Sequence, residues 1–138
     1  MNILKVFTKS RETGNIGEAL AVRHLKKQGY RIIATNYCDY KYEIDIIAEN
    51  ETTLAFVEVK TRTSASLGRI GGRPASAVTP EKQRKIIEAV NHYRSYNSIK
   101  KRISLDVVEV YLNENRMPEK ILHIENAFNS NTAYTKRR

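Results

Sequence analysis

Two short stretches of this chain alternate apolar and polar residues in a way that suits β-strands. They are residues 43–49, Glu-Ile-Asp-Ile-Ile-Ala-Glu, and residues 53–62, Thr-Leu-Ala-Phe-Val-Glu-Val-Lys-Thr-Arg. Asn50-Glu51-Thr52 between them is turn-forming, so the pair reads as a hairpin. Centring that hairpin between Glu51 and Thr52 sets Ile44 against Val59, Ile46 against Val57 and Ala48 against Ala55, an apolar sheet face. On the other face Asp45 meets Glu58 and Glu43 meets Lys60, with Ile47 against Phe56 further along. Like charges placed opposite one another destabilise a sheet. Folding alone gives little reason to put two carboxylates there, whereas a divalent cation between them would.

The rest of the chain arranges itself around this hairpin. Residues 1–12 read as a flexible basic lead-in. Thr13 or Asn15 caps a helix that runs to about Gln28 and stops at Gly29. Residues 30–37 form a first strand, and residues 63–77, rich in Ser, Gly and Ala, read as a mobile loop. Thr79-Pro80 starts a second helix, as cap and first helical residue. Ile86, Ile87, Val90 and Tyr93 carry it to about Tyr96 at helical spacing. Residues 103–112 are a further strand, residues 120–126 suit a short last one, and residues 129–138 read as a disordered basic tail. One domain is expected over residues 13–128, with no internal repeat. Its class is α/β, helices covering a mixed sheet.

Composition sharpens the choice of partner. The chain has 138 residues, 41% of them hydrophobic, and 24 Lys and Arg against 15 Asp and Glu, a formal charge of +9. That favours polyanions, nucleic acid ahead of anionic membrane. No apolar run approaches the ~18 residues of a spanning helix, which argues against a membrane. The lysine-interrupted start does not suit a secretory signal. Cys38 is the single cysteine, so no internal disulfide forms, as suits a reducing cytoplasm.

The residues permit phosphodiester hydrolysis. Mg²⁺ polarises a phosphoryl oxygen and activates water when oxygen ligands hold it and leave water in its shell. Asp45 and Glu58 are such ligands, and the main-chain carbonyl of Val59 could be a third. Lys60 shares the face of Glu58. It could orient or deprotonate the attacking water or neutralise the phosphorane; the plain alternative is a salt bridge to Glu43 or Glu58. Glu18 shares a helical stripe with Ala21, Val22 and Leu25, where it could bind the metal or a water of its shell, or simply favour the helix dipole. Gln83 shares one with Ile86, Ile87 and Val90, placing it either to hydrogen-bond a phosphate or to end an apolar stripe.

Between Val59 and Pro80 there is no acidic residue, while Lys60, Arg62, Arg69 and Arg73 are basic. The segment is either a phosphate clamp that orders on DNA or a solvated loop. Lys82, Arg84 and Lys85 extend the positive surface. Tyr37, Tyr40 and Tyr42 could stack on exposed bases or pack a sheet edge. His24, His92 and His123 show no zinc spacing. Cys38 reads as a small buried filler, and Asp106 as a strand carboxylate that could stand behind the metal ligands. No Walker lysine follows a Gly-rich loop, which argues against nucleotide hydrolysis.

Taken together these motifs resemble the PD-(D/E)XK nuclease superfamily, and within it the small bacterial YraN-like family of predicted endonucleases, related in fold to Holliday-junction resolvases. The resemblance spans residues 14–128. It rests on Gly17-Glu18, Gly29-Tyr30, Asn36, Glu43-Ile44-Asp45, the run from Phe56 to Arg62, Ala77-Val78-Thr79, Lys82-Gln83 and Asn126-Ala127-Phe128. It implies a restriction-endonuclease-like αβββαβ core, metal ligands at Asp45 and Glu58, a catalytic lysine at Lys60 and a helix carboxylate at Glu18. Two positions depart from the family: Tyr42 stands where Gly is usual, and Ser104 where Arg usually precedes the strand Asp by two residues.

The function expected is a metal-dependent DNA endonuclease using Mg²⁺ or Mn²⁺, with structure-selective cutting of branched DNA in repair or recombination as its narrower form. Resolvase-like relatives act as dimers, so a homodimer is a further expectation. The rivals are a non-catalytic nucleic-acid-binding or interaction protein that retains the nuclease fold, and an RNA-directed nuclease.

Overall fold

The computed structural model describes residues 4–63 and 78–134, with residues 4–13 described by backbone alone. The elements are α1 (Leu4–Lys27), β1 (Arg31–Asp39), β2 (Tyr42–Glu49), β3 (Thr53–Thr63), α2 (Pro80–Tyr96), β4 (Arg102–Leu112), β5 (Pro118–Ile124) and α3 (Ser130–Tyr134). The five strands form one sheet in the order β1-β2-β3-β4-β5. β3 and β4 run parallel and the other neighbours antiparallel. Parallel neighbours need a crossover, and α2 provides it. This is the αβββαβ core of the restriction-endonuclease-like fold, extended by β5 and α3.

Alternation along the strands divides the core between the two sheet faces. Ala21 and Leu25 of α1 pack with Ile46, Ala48, Ala55, Val57, Val108 and Val110. Ile86, Ile87 and Val90 of α2 pack on the opposite face with Ile47, Leu54, Phe56 and Val107. Local chemistry sets the ends of these elements. The Asn50 carboxamide accepts from the Thr52 and Thr53 amides, at 3.0 and 2.9 Å, and shapes the β2–β3 turn. α1 stops where Gly29 adopts φ 94° and Tyr30 N–H reaches back to the Leu25 carbonyl at 3.0 Å, a conformation that costs glycine nothing. α2 starts on Thr79, whose hydroxyl accepts from Lys82 N–H at 3.1 Å, with Pro80 next.

Several expectations need correction. α1 begins at Leu4, so the backbone of the lead-in is helical from that residue onward. Thr13, Gly14 and Asn15 are weak helix formers, but no proline interrupts the run, and the helix continues through them. Part of the expected tail is ordered as well. Asn129 and Thr132 cap α3 reciprocally, side chain to backbone, at 3.0 and 3.1 Å. Ala133 is buried, and its carbonyl accepts from Arg84 Nη1 of α2 at 2.7 Å. Cys38 is exposed on the edge strand β1 and is no buried filler. Residues 64–77, with Arg69 and Arg73, and residues 135–138 lie outside the described set. Among the described residues no helix is long and apolar enough to cross a membrane.

α1 comes close to the sheet at Gly17, which faces Thr61 of β3. A Cβ on Gly17 would overlap Thr61 Oγ1 and come within 3.0 Å of Thr61 Cβ. The bare glycine therefore sets how near the neighbouring Glu18 comes to β2 and β3. Gly17→Ala gains helix propensity but must push two backbones apart, and should destabilise by about 1–3 kcal/mol, the usual scale of overpacking. Denaturant unfolding checks this. Adding Thr61→Ala should recover most of the loss, because it removes the atoms that collide.

Candidate functional site

The β2–β3 ladder runs as the alternation predicts, with Ile46 opposite Val57, Ile47 opposite Phe56 and Ala48 opposite Ala55. It ends at Ile46. Where Asp45 would meet Glu58 the strands part, and Asp45 Oδ2 accepts from Val59 N–H at 2.9 Å. A side chain thus takes up a main-chain donor of β3. Ile44 turns to the α2 face beside Ile47 and Phe56, while Val59 packs on the α1 side. The expected opposition of these two residues is replaced by a splayed strand end.

The splay leaves a tight carboxylate pair. Glu58 is buried to 8% exposure, and its pKa is pushed up to about 7. Burial is the larger cause, followed by the charge of Asp45; a hydrogen bond between the two carboxyls adds to it, and Lys82 and Lys60 oppose it. Lys60 Nζ stands 3.7 Å from Glu58 Oε2 and is one-third exposed. Lys60 therefore pairs with Glu58 and not with Glu43 across the hairpin. Two like charges forced together out of water disfavour double ionisation.

Glu18 faces the same gap from α1. Its pKa is raised, by burial first and by Asp45 second, and a hydrogen bond from Asn36 partly restores its acidity. Asn36 lies on β1 between the pairs Thr35–Ile46 and Tyr37–Ile44, so it sits opposite Asp45. Its backbone is left-handed in mid-strand, with φ 50°, a conformation Asn tolerates better than most residues. Sequence reasoning quoted Asn36 but assigned it no role. Its signal is an Asn amid residues that otherwise favour a strand.

The other candidates are placed as follows. Lys82, in the first turns of α2, is near enough to act on Glu58. Arg62 Nε stands 3.6 Å from Glu109 Oε2, and neither atom has a hydrogen-bond partner. Glu109, buried on β4 opposite Lys60 and bonded to the Tyr111 hydroxyl at 3.1 Å, went unnoticed in the sequence. Gln83 is buried, and its amide is taken by the Val78 carbonyl at 2.9 Å and the Thr132 hydroxyl at 2.8 Å. The structure spends it on joining α2 to α3. Asp106 lies on the opposite face, fully buried, bonded to His123 Nε2 at 2.7 Å, to Asn126 N–H at 3.1 Å and to the Ser104 hydroxyl.

The donor chemistry suits a hard cation. Asp45 and Glu58 supply oxygen ligands whose crowding a positive ion would relieve, and Asp45 is oriented by the Val59 amide. Among the described residues no three His, Cys, Asp or Glu side chains form a metal cage. Two carboxylates suffice for Mg²⁺, which binds through one or two and keeps several waters.

Glu58 gives a pH test with a definite sign. Its folded pKa, about 7, lies above the ordinary 4.5, so the folded state holds the proton more tightly. For this group stability is greatest below about pH 4.5 and declines as pH rises through 7, by a few kcal/mol at most. Metal-free wild type should therefore lose stability relative to Glu58→Gln across that window, and Mn²⁺ should restore it at neutral pH. A difference between the two proteins that stays constant from pH 4.5 to 8 would refute the buried-pair reading.

Comparison with known proteins places this arrangement in a family. Residues 17–110 match the family described as "Uncharacterised protein family UPF0102". A UPF0102 protein of Flavobacterium psychrophilum is 42% identical over 117 residues, covering 85% of this chain and 93% of its own. One from Chlorobium phaeobacteroides is 45% identical over 122 residues, covering 85% and 94%. One from Caldanaerobacter subterraneus is 40% identical over 117 residues, covering 83% and 93%. With a family match across most of the core and relatives similar over nearly their whole length, the chain belongs to the UPF0102 family, the YraN-like family its motifs resemble.

Proposed function

We propose that this protein is a metal-dependent DNA endonuclease that hydrolyses phosphodiester bonds with Mg²⁺ or Mn²⁺ held by Asp45 and Glu58. The observation that carries the reading is the crowded pair itself: a buried Glu58 beside Asp45, its pKa raised to about 7, with Lys60 3.7 Å away. Such an arrangement costs folding free energy in the absence of a cation, and perturbed carboxylates of this kind cluster at functional sites. When bound, the cation supplies polarisation of a phosphoryl oxygen and activation of water.

The chain's own groups supply the rest. Val59 N–H fixes the orientation of Asp45. Lys60 Nζ, at the mouth of the site, offsets the charge that grows on the phosphate oxygens. Lys82 and Arg62 flank it as phosphate contacts, and Glu18, steadied by Asn36, faces the water side of the gap. A formal charge of +9 draws the phosphate backbone towards this surface. Symmetric cutting of branched DNA takes two copies of the site, so a homodimer accompanies that form of the reading. The exposed free thiol of Cys38 fits a reducing cytoplasm.

Lys60→Ala and Asp45→Ala separate the roles. Lys60→Ala keeps both carboxylates, so Mn²⁺ should still raise the melting temperature while cleavage falls by about 10²-fold or more. Asp45→Ala should lose metal-induced stabilisation and cleavage together. Cleavage of linear, flapped and four-way-junction DNA and of RNA, read beside melting shifts, checks both variants. Full cleavage by Lys60→Ala would overturn the role of Lys60. Wild type that cuts none of these substrates would favour the non-catalytic binding protein.

A further inference from the structure

A groove of about 510 Å³ opens between the β1–β2 turn and α2, lined by Lys41, Tyr42, Glu43, Lys82, Lys85 and Glu88 among others. That volume is in the range of small-ligand sites. Neither carboxylate lines it, but the groove is close to the pair: Lys82 acts on Glu58, and Glu43 stands two residues before Asp45 on β2. The groove thus continues the path that a strand seated at Glu58 would follow.

An aromatic wall gives the groove its character. Tyr42 stacks on His92 of α2, with centroids 4.4 Å apart and planes 22° apart. His92 is held in turn by Asp39 through Nε2 at 2.8 Å and edge-on by Tyr96. The ring that lines the groove is therefore backed and fixed in orientation. Lys41 Nζ lies over the ring, 5.5 Å from its centroid, an exposed, flexible cation that must swing aside for a base to stack there and can then pair with the phosphate. Lys85 pairs with Glu81 at 3.7 Å, but both side chains are largely exposed, and such pairs hold their partners weakly. Lys41, Lys82 and Lys85 are thus placed to meet a phosphate.

The neighbouring turn shares this character. Tyr40 is 88% exposed and left-handed, with φ 61°. A bulky residue there costs free energy that glycine would not, and Tyr40 buries almost nothing in return. Tyr37, the third tyrosine of the cluster, packs edge-on against Tyr93 within the core. Tyr42 is half-buried and also packs against that core, but unlike Tyr37 its side chain lines the groove.

We propose that this groove binds an unpaired nucleotide of a DNA strand next to the scissile phosphate, its base stacked on Tyr42 and its phosphate among Lys41, Lys82 and Lys85. The proposal rests on the nucleic-acid reading of the neighbouring site and names its substrate class: DNA with an unstacked nucleotide beside the cut. Stacking on one aromatic side chain is worth about 1–3 kcal/mol per base, and a duplex cannot offer a base to Tyr42 without breaking a pair.

Fluorescence anisotropy in EDTA tests binding without cleavage. The probes are a duplex with a short single-stranded overhang and the same duplex blunt-ended. Wild type should prefer the overhang. Tyr42→Ala should weaken overhang binding about 5- to 100-fold and leave blunt duplex unchanged, while Tyr42→Phe should behave as wild type. An overhang with abasic residues should cost wild type the same factor and cost Tyr42→Ala nothing more, a non-additivity that marks direct contact. The abasic probe also tests wild type on its own, so a poorly folded variant would not leave the proposal untested. Equal weakening of both probes by Tyr42→Ala, or no penalty for the abasic overhang, would overturn it. A Tyr42-dependent preference in a protein that never cleaves would sink the nuclease reading and leave the groove standing; cleavage with no such preference would do the reverse.

Discussion

The structure turns on a repulsion that the backbone holds in place. β3 is the centre of the sheet, bonded on both sides, and so cannot shift to relieve a bad contact. At Glu58 it carries a carboxylate to the edge of the hydrophobic core, and β2 brings Asp45 to the same spot. Instead of pairing there, β2 peels away, and Asp45 caps the Val59 amide that the ladder would have used. That one hydrogen bond ends the β2–β3 ladder and opens the gap that Glu18, Asn36 and Lys60 border. It also fixes one Asp45 carboxylate oxygen beside the buried Glu58.

Much of this could be read from the residues, because the pattern is short-range. Strand alternation in residues 43–49 and 53–62 needed no tertiary information, and the register followed from Asn50 and the turn. The point of failure is equally physical. Extending that register to Ile44 and Val59 assumed that a ladder runs until its residues do, whereas side-chain competition for one main-chain N–H stops it. Asn36 and Glu109 were harder to see. Their importance lies in which strands stand beside them, and a residue's own type says little about its neighbours in the sheet. The start of α1 and the capping of α3 were missed for another reason. Weak local formers such as Thr13, Asn15, Asn129 and Thr132 serve equally as helix ends and helix members, and packing decides between the roles.

The two sheet faces divide their labour. On the α1 side the buried polar residues satisfy one another: Asp106 with His123, Ser104 and Asn126, and His123 with Gln28 at 2.8 Å. That network ties β4, β5 and the end of α1 together, and its closure makes it a structural brace. On the α2 side polar groups remain unsatisfied or crowded, as at Glu58 and between Arg62 and Glu109. Gln83 of α2 is satisfied as well, so among the described residues the strained polar groups gather at the carboxylate pair and its Arg62–Glu109 neighbours, where a ligand can reach.

The join between α2 and α3 bears on how the chain matures. α3 is synthesised after every element it touches, and Thr132 is the partner of Gln83 Oε1. Until α3 emerges, α2 carries a buried carboxamide without its second partner and an Arg84 guanidinium without the Ala133 carbonyl. The helix that supplies Lys82 to the carboxylate pair is therefore finished late, after the strands that hold that pair are already made. Until α3 docks, the sheet can assemble with its charge-bearing helix loosely seated, so the arrangement around the carboxylates is complete only once residues 129–134 are in place.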